Sequence, residues 1–497
     1  MATVKEITTM CKSGHVLEAY NTAKTDYDSF PQDIWAHREM GWALYYMLKT
    51  DIEYKKHSDF LNHFEELVGL NLLTIKDDSL IFNSVIWKIA EFVKDISENS
   101  MDDMDKLFSL LDKYTFAPSN GYSYLLKSCL HLRQWEHFAD FIEWWNLDNL
   151  LPEDFQPFKI EKGEKILSLA ERAYLAYSKA LLRKNDKDKI LAFLPKIEKL
   201  IDNHPDMMYP GYYCGKLMLA TGTFTEDALH IVMPFVRKKQ SEFWIWQLLS
   251  EIYYKDSDIC LACLLRAVHS KIQETFLVKV RKKLVNVYFS RNDYARAKYH
   301  IDIIIKSCVQ QGWNLPYEVQ NWLREPWLQK IESDDSDGVD YKHITDKILL
   351  YGTNENVAVV TYVDFANKRV TLVYGEKKCV SVKFQKLNCK IFEGLLLKMH
   401  WLPIQNDKIN IVGFEEVNLK EFVNNAYIKR MRGTVLKPKG KQFAFIEGKG
   451  IKYFIPPMIV EKSNLSGGEV ATATVVYNFN KKKGEWAWSC VSVKCNK

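Results

Sequence analysis

Three phenylalanines carry the strongest chemical signal in the chain. Phe443 and Phe445 alternate in the run Lys441-Gln-Phe443-Ala-Phe445-Ile446, and Phe454 follows in Tyr453-Phe454-Ile455. Side chains alternate along a strand, so Phe443 and Phe445 share one face while Ala444 and Ile446 share the other. With Phe454 facing out, Tyr453 and Ile455 face in. Three aromatics on one outer face need a cover. A nucleobase is one such cover, because every base offers a stacking face. Lys437, Lys439, Lys441 and Lys452 surround the run and are placed to track phosphates; Lys481-Lys482-Lys483 adds charge in the last hairpin. The other reading is that these rings pack against the rest of the chain. Trp486 and Trp488 share a face nearby and either plug a barrel end or extend the platform.

No other set of residues points to chemistry. A phosphate-binding Gly-x-x-x-x-Gly-Lys-Ser/Thr loop is missing: Gln442 follows Gly440-Lys441 where the hydroxyl residue would stand. Cys260-x-x-Cys263 is a lone CxxC within an apolar helical segment and reads as core. Asp364 with Glu376-x-Lys378 faintly resembles a nuclease layout, but Gly375 places the pair at a hairpin turn. His15, His37, His57, His63, His131 and His137 are scattered without an HExxH spacing and read as surface or satisfied core residues. Trp144, Trp145, Trp244 and Trp246 recur at helical spacing and read as core. The expectation is a non-enzyme with no catalytic residue, no metal site and no cofactor.

The composition agrees with a folded, reduced, water-facing chain. It has 497 residues, 47% apolar and 26% charged, with 13% aromatic. Ten irregularly spaced cysteines do not form a disulfide framework. No apolar run reaches transmembrane length, and the start, MATVKEITTMCKSGH, lacks the apolar core of a secretory signal. The expected address is the cytoplasm. The net charge of +5 conceals a division. Residues 1–340 hold 42 Lys+Arg against 50 Asp+Glu, a net −8, whereas residues 341–497 hold 26 against 13, a net +13. Residues 424–497 alone hold 14 against 4. Concentrated positive charge favours a polyanion, since each neutralised phosphate releases counterions.

The elements that must carry these residues change in kind along the chain. Up to about residue 330, apolar residues recur at three- and four-residue spacing, as in Ala170–Leu182, Ile190–Ile201, Phe243–Tyr254, Ile259–Val268 and Val280–Phe289. Short polar turns such as Arg183-Lys-Asn-Asp-Lys-Asp188 imply paired antiparallel helices. Trp246-x-x-Leu249-Ser250-x-x-Tyr253 followed by Ala262 has the spacing of a tetratricopeptide unit. Leu284-Val285-x-x-Tyr288 with Asn292-Asp293-Tyr294-x-x-Ala297 repeats it, and so does Gly14-x-x-x-x-Ala19 with Pro31. This region resembles tetratricopeptide-repeat proteins in degenerate form. The resemblance implies an α-solenoid of eight or nine helix pairs that binds a protein or peptide on its concave face. The acidic run Glu332-Ser-Asp-Asp-Ser-Asp-Gly-Val-Asp340 reads as an exposed linker.

After residue 345 the period falls to two. Val357–Val363, Val370–Tyr374, Val380–Phe384, Gly394–Leu402 and Ile409–Phe414 read as five strands. Arg430–Lys437, Gln442–Glu447, Lys452–Pro456, Val470–Phe479 and Trp486–Val493 read as five more. Five short strands in such a span suggest a small closed barrel, here twice. Residues 430–493 resemble the cold-shock domain family. Phe443 and Phe445 match its first aromatic run and Phe454 its second. Ala444 replaces a family glycine and Pro456 a family histidine, and Lys437-Pro438 stands where the family has Trp-Phe. The whole order, helical repeats then cold-shock-like domains, is similar to proteins of prokaryotic conflict (defence) systems.

The sequence is thus read as multidomain, α then all-β. Residues 1–331 form the helical array, 332–343 the linker, 344–423 a first OB-type barrel and 424–497 a second, cold-shock-like one. The resemblance implies a non-catalytic adaptor that binds single-stranded nucleic acid, RNA over DNA, through Phe443, Phe445, Phe454, Lys437, Lys439, Lys441 and Lys452. The array would hold a protein partner. The alternative is a protein-interaction scaffold whose barrels are covered by the array or a partner, with no nucleic acid.

Overall fold

Polar residues end and start the helices where the sequence places turns. Asn185 takes a left-handed conformation (φ 52°) after the helix Leu169–Lys184, and the Asp186 side chain accepts the amide of Lys189 to cap Lys187–Asn203. Asp256 caps Ser257–Val268 and Asp293 caps Tyr294–Gln311 in the same way. Each such cap contributes about 1 kcal/mol by satisfying an amide that the helix leaves unpaired. The computed structural model describes residues 2–72, 79–97, 100–159, 165–222, 225–387, 389–404, 408–420, 422–480 and 484–495. It separates after Ser336 into two compact units, 1–336 and 337–497.

The first unit is helical. Seventeen α-helices lie between Val4 and Trp322 among the described residues, enough for about eight pairs. Phe243–Ile252 packs on Ser257–Val268, Val278–Ser290 on Tyr294–Gln311, and Val16–Ser29 on Ile34–Glu53. The expected small residues sit at these contacts: Ala19, Ala262 and Ala297 are completely buried. Trp145 and Trp246 are core, as expected, and Trp144 and Trp244 are half-buried among other rings. Cys260 and Cys263 are buried, and burial pushes both thiols up. The ring nitrogens of His131 lie 2.6 and 2.8 Å from the carbonyl oxygens of Ser128 and Ile96, and those of His37 lie 3.1 and 2.9 Å from the carbonyl oxygens of Leu70 and Pro31.

The acidic segment after Trp327 is exposed but not free. The Arg296 guanidinium pairs with Asp334 at 3.1 Å and donates to the Ser336 carbonyl at 2.9 Å, and the Asp334 amide donates to the Ala295 carbonyl. Its first half is thereby held on the helix Tyr294–Gln311. Its second half leads into a helix, Tyr341–Leu349, that opens the second unit.

The second unit holds both sheets. Strands β1 (Asn354–Asp364), β2 (Arg369–Gly375), β3 (Lys378–Lys383), β4 (Leu396–Pro403) and β5 (Ile409–Glu416) form an antiparallel sheet of order 3-2-1-4-5. Strands β6 (Ile428–Leu436), β7 (Ala444–Gly448), β8 (Ile451–Ile455), β9 (Val470–Asn480) and β10 (Glu485–Cys495) close into a barrel. Both share the connections of an OB fold. They differ in one ladder, the parallel pairing of third and fifth strands, which the barrel makes at Phe454↔Ser489. Two closed barrels were expected, and the first set of five strands is an open sheet. Its rims β3 and β5 meet through side chains instead: Val382, Leu387 and Ile411 share one core, and Lys386 Nζ donates to the Ile411 carbonyl at 3.3 Å.

Two features shape the barrel. A Cβ on Gly433 would stand 2.3 Å from the Glu447 carbonyl oxygen, so only glycine lets β6 and β7 cross this closely. The short helix Pro457–Lys462 follows β8 and drives Ile459 and Val460 into the barrel core. The two sheets also share a small core: Val359, Val373 and Leu396 of the open sheet meet Ile428, Val476 and Val491 of the barrel.

Candidate nucleic-acid interface

The aromatic face is built by a tight hairpin. Only Lys449 and Gly450 connect β7 to β8, and both have positive φ (50° and 75°), the backbone of a type I′ turn. That turn sets the register, which places Phe445 directly opposite Phe454. Phe443 lies one residue before β7 and still joins the same face. Its ring centroid is 5.7 Å from those of both Phe445 and Phe454, and the latter two are 6.0 Å apart. Behind them Ala444, Ile446 and Ile455 are completely buried, and Tyr453 is nearly so. The alternation expected from the sequence therefore holds. Phe454 is 38% exposed and the other two are half-buried.

The four lysines are all exposed, but they divide into two kinds. Lys437 Nζ donates to the Leu465 carbonyl at 2.9 Å, which commits it to the loop after the short helix. Lys452 stands across from Glu447 in the hairpin and pairs with it at 3.6 Å. The ammonium groups of Lys439 and Lys441 have no intramolecular partner among the described residues. The acceptors that set Lys437 and Lys452 apart become their neighbours only through folding. Lys481, Lys482 and Lys483 lie outside the described residues.

The last hairpin carries a second aromatic group. Trp488 packs on the barrel core and on Tyr453 and Tyr477, while Trp486 meets Tyr477 at a tilt and Phe479 edge-on. Trp488 thus rests half-buried against the barrel core. Lys429 Nζ lies 4.4 Å from the Trp488 ring and 3.3 Å from the Tyr453 hydroxyl oxygen. Lys429 was not anticipated; its sequence signal was the run of cations Lys429, Arg430 and Arg432 along one strand.

The loop entering β9 is clamped by Glu469. Burial opposes its ionisation, but the Ser466 hydroxyl (2.6 Å) and the Ser466 and Gly467 amides (2.5 and 2.8 Å) donate to the carboxylate. These bonds prevail and hold it down to about 2. The same loop receives Lys437.

The remaining chemical candidates stay apart. Asp364 ends β1 and is bonded to Asn367 within its own turn, and Glu376 stands in the β2–β3 turn. No group of three metal-ligating side chains occurs among the described residues.

Two family models match parts of the chain. Residues 429–493 match the S1/CSD-like domain 2 of the TOTE conflict systems. That span covers the closed barrel and ties this part of the chain to a defence setting. Residues 208–347 match a domain of unknown function, DUF7017, which runs through the last helices of the first unit and into the helix Tyr341–Leu349. Among curated proteins, none matches the chain. No described helix is long and apolar enough to cross a membrane.

Proposed function

We propose that the chain is a non-catalytic adaptor of a conflict system that binds single-stranded nucleic acid, RNA in preference to DNA, on the Phe443–Phe445–Phe454 face. The helical array, read as tetratricopeptide-like, binds a protein partner and so links recognition to an effector. One observation carries the reading: three phenylalanines in mutual contact stay partly exposed on the outer face of a closed barrel that matches an S1/CSD-like domain. Leaving such rings in water is unfavourable, and stacked bases relieve it. Lys439 and Lys441, which are exposed, supply the phosphate contacts.

The test is fluorescence anisotropy with labelled single-stranded RNA, single-stranded DNA and duplex over a salt series. The double variant Phe443→Ala/Phe445→Ala is expected to lose about 1–3 kcal/mol per stacked base. Equal binding by wild type and double variant would remove the aromatic face from the mechanism. No binding at low salt would leave the protein-scaffold reading in its place.

A further inference from the structure

The outer face shared by β6, β9 and β10 changes character along its length. Ile428 and Val476 pair across strands and are completely buried against the open sheet, together with Val491. The next row is polar: Arg430 lies opposite Thr474, and Thr474 opposite Ser492. The row beyond is Arg432, Thr472 and Lys494. Adjacent members of such rows stand about 5 Å apart. Three cations and three hydroxyls are therefore laid out as a grid on a sheet that was apolar one row earlier.

All of this grid except Arg432 forms one wall of a cleft of about 450 Å³ inside the second unit. The facing wall comes from the segment before β4 and supplies Lys390, Phe392 and Gly394. Gly394 (φ 86°) abuts Ser492 so closely that a Cβ there would stand 2.3 Å from the serine Oγ, which fixes the separation of the walls. Phe392 is 41% exposed at the mouth. Arg430, Lys390 and Lys494 reach the cleft against one carboxylate among the described residues, Glu416. Arg430 uses one Nη to bond the Leu419 carbonyl at 3.1 Å, which orients its guanidinium. Thr474 is 7% exposed, lines the cleft, and its hydroxyl has no protein partner among the described residues. Its hydroxyl is therefore available to bond a ligand in the cleft.

We infer that this cleft binds one nucleoside phosphate unit, free or as part of a strand. The phosphate sits on Arg430 and Lys494 with hydrogen bonds from Thr474 and Ser492, and the base lies on Phe392. The cleft is of the size that takes a small ligand. It is walled by β6, β9 and β10 rather than by β7 and β8, uses none of the phenylalanine residues, and does not depend on that face binding anything.

The test titrates the full chain with a fluorescently labelled nucleoside 5′-monophosphate, the unphosphorylated nucleoside and a short single-stranded oligonucleotide. Inorganic phosphate serves as competitor. Binding of the monophosphate or the oligonucleotide is expected to weaken about tenfold or more in Thr474→Val and Lys494→Gln, since each removes a bond to a charged group. Thr474→Ser should retain it, and Phe443→Ala/Phe445→Ala should leave the monophosphate unaffected. Tight monophosphate with weak oligonucleotide binding assigns a free nucleotide; the reverse assigns a strand. Competition by phosphate alone at equal strength would show an anion site without base recognition and overturn the proposal. So would unchanged affinity in the Thr474 and Lys494 variants, or the absence of binding by both ligands. A failure of the phenylalanine face instead appears only in the phenylalanine double variant.

Discussion

Phe454 is the outermost ring of the aromatic face, and its cross-strand partner Phe445 supports it from beside rather than below. Phe454→Ala should therefore weaken single-stranded binding by about 1–3 kcal/mol without unfolding the barrel, whose core lies on the other face of β8. Anisotropy with a parallel thermal melt checks both halves; a large melting shift would place Phe454 in the core instead. The lysines should separate by salt dependence. Lys439→Gln and Lys441→Gln are each expected to lower the slope of log affinity against log salt by about 0.7. Lys452→Gln should change the slope less, because Glu447 already neutralises it, and Lys437→Gln should act on barrel stability through the lost Leu465 bond. Equal slopes for all four variants would mean that the local acceptors do not matter.

The loop from Ser463 to Glu469 shows how one carboxylate can hold a connection. Its carboxyl is depressed from the ordinary 4.5 to about 2 by bonds from Ser466 and Gly467. A depressed carboxyl stabilises the fold fully above its unfolded value, and that contribution is lost as pH falls toward the folded value. The barrel should weaken between about pH 4.5 and pH 2. Glu469→Gln should lower stability at neutral pH and flatten this acid limb. Denaturant melts of both proteins across that window decide it; parallel curves would show that the clamp does not contribute. The β7–β8 hairpin makes the complementary point. Its two-residue turn is readable as Lys449-Gly450, and once that turn is known the pairing of Phe445 with Phe454 follows from strand geometry.

The chain joins an acidic helical unit to a basic β unit, and their cores are separate. Calorimetry should record two transitions rather than one, and a single transition would show that the units unfold together. Acid should act on the helical transition earlier. Burial, with the Arg281 charge beside it, holds His300 down to about 3, so it stays neutral in the folded state. The unfolded chain takes up that proton first, so stability falls as pH drops from about 6.5 toward 3. His63, raised by its bond to Asp51, works in the opposite sense, so the measurement is the difference between wild type and His300→Gln. The variant keeps an acceptor for Arg281 and should lose the His300 part of the drop.

Local pattern was enough for much of this molecule. Helices came from apolar spacing and polar caps, strands from alternation, and the aromatic face from three phenylalanines in two short runs, because each of these depends on neighbours within a few residues. Long-range contacts settled the rest. Whether the first five strands close depends on a ladder between β3 and β5, and no residue within either strand announces its absence. The different fates of Lys437, Lys439, Lys441 and Lys452 depend on which acceptors folding brings beside them. The cleft lined by Lys390, Arg430, Thr474 and Lys494 joins residues as far apart as 390 and 494, and only the packing of one sheet on the other brings them together.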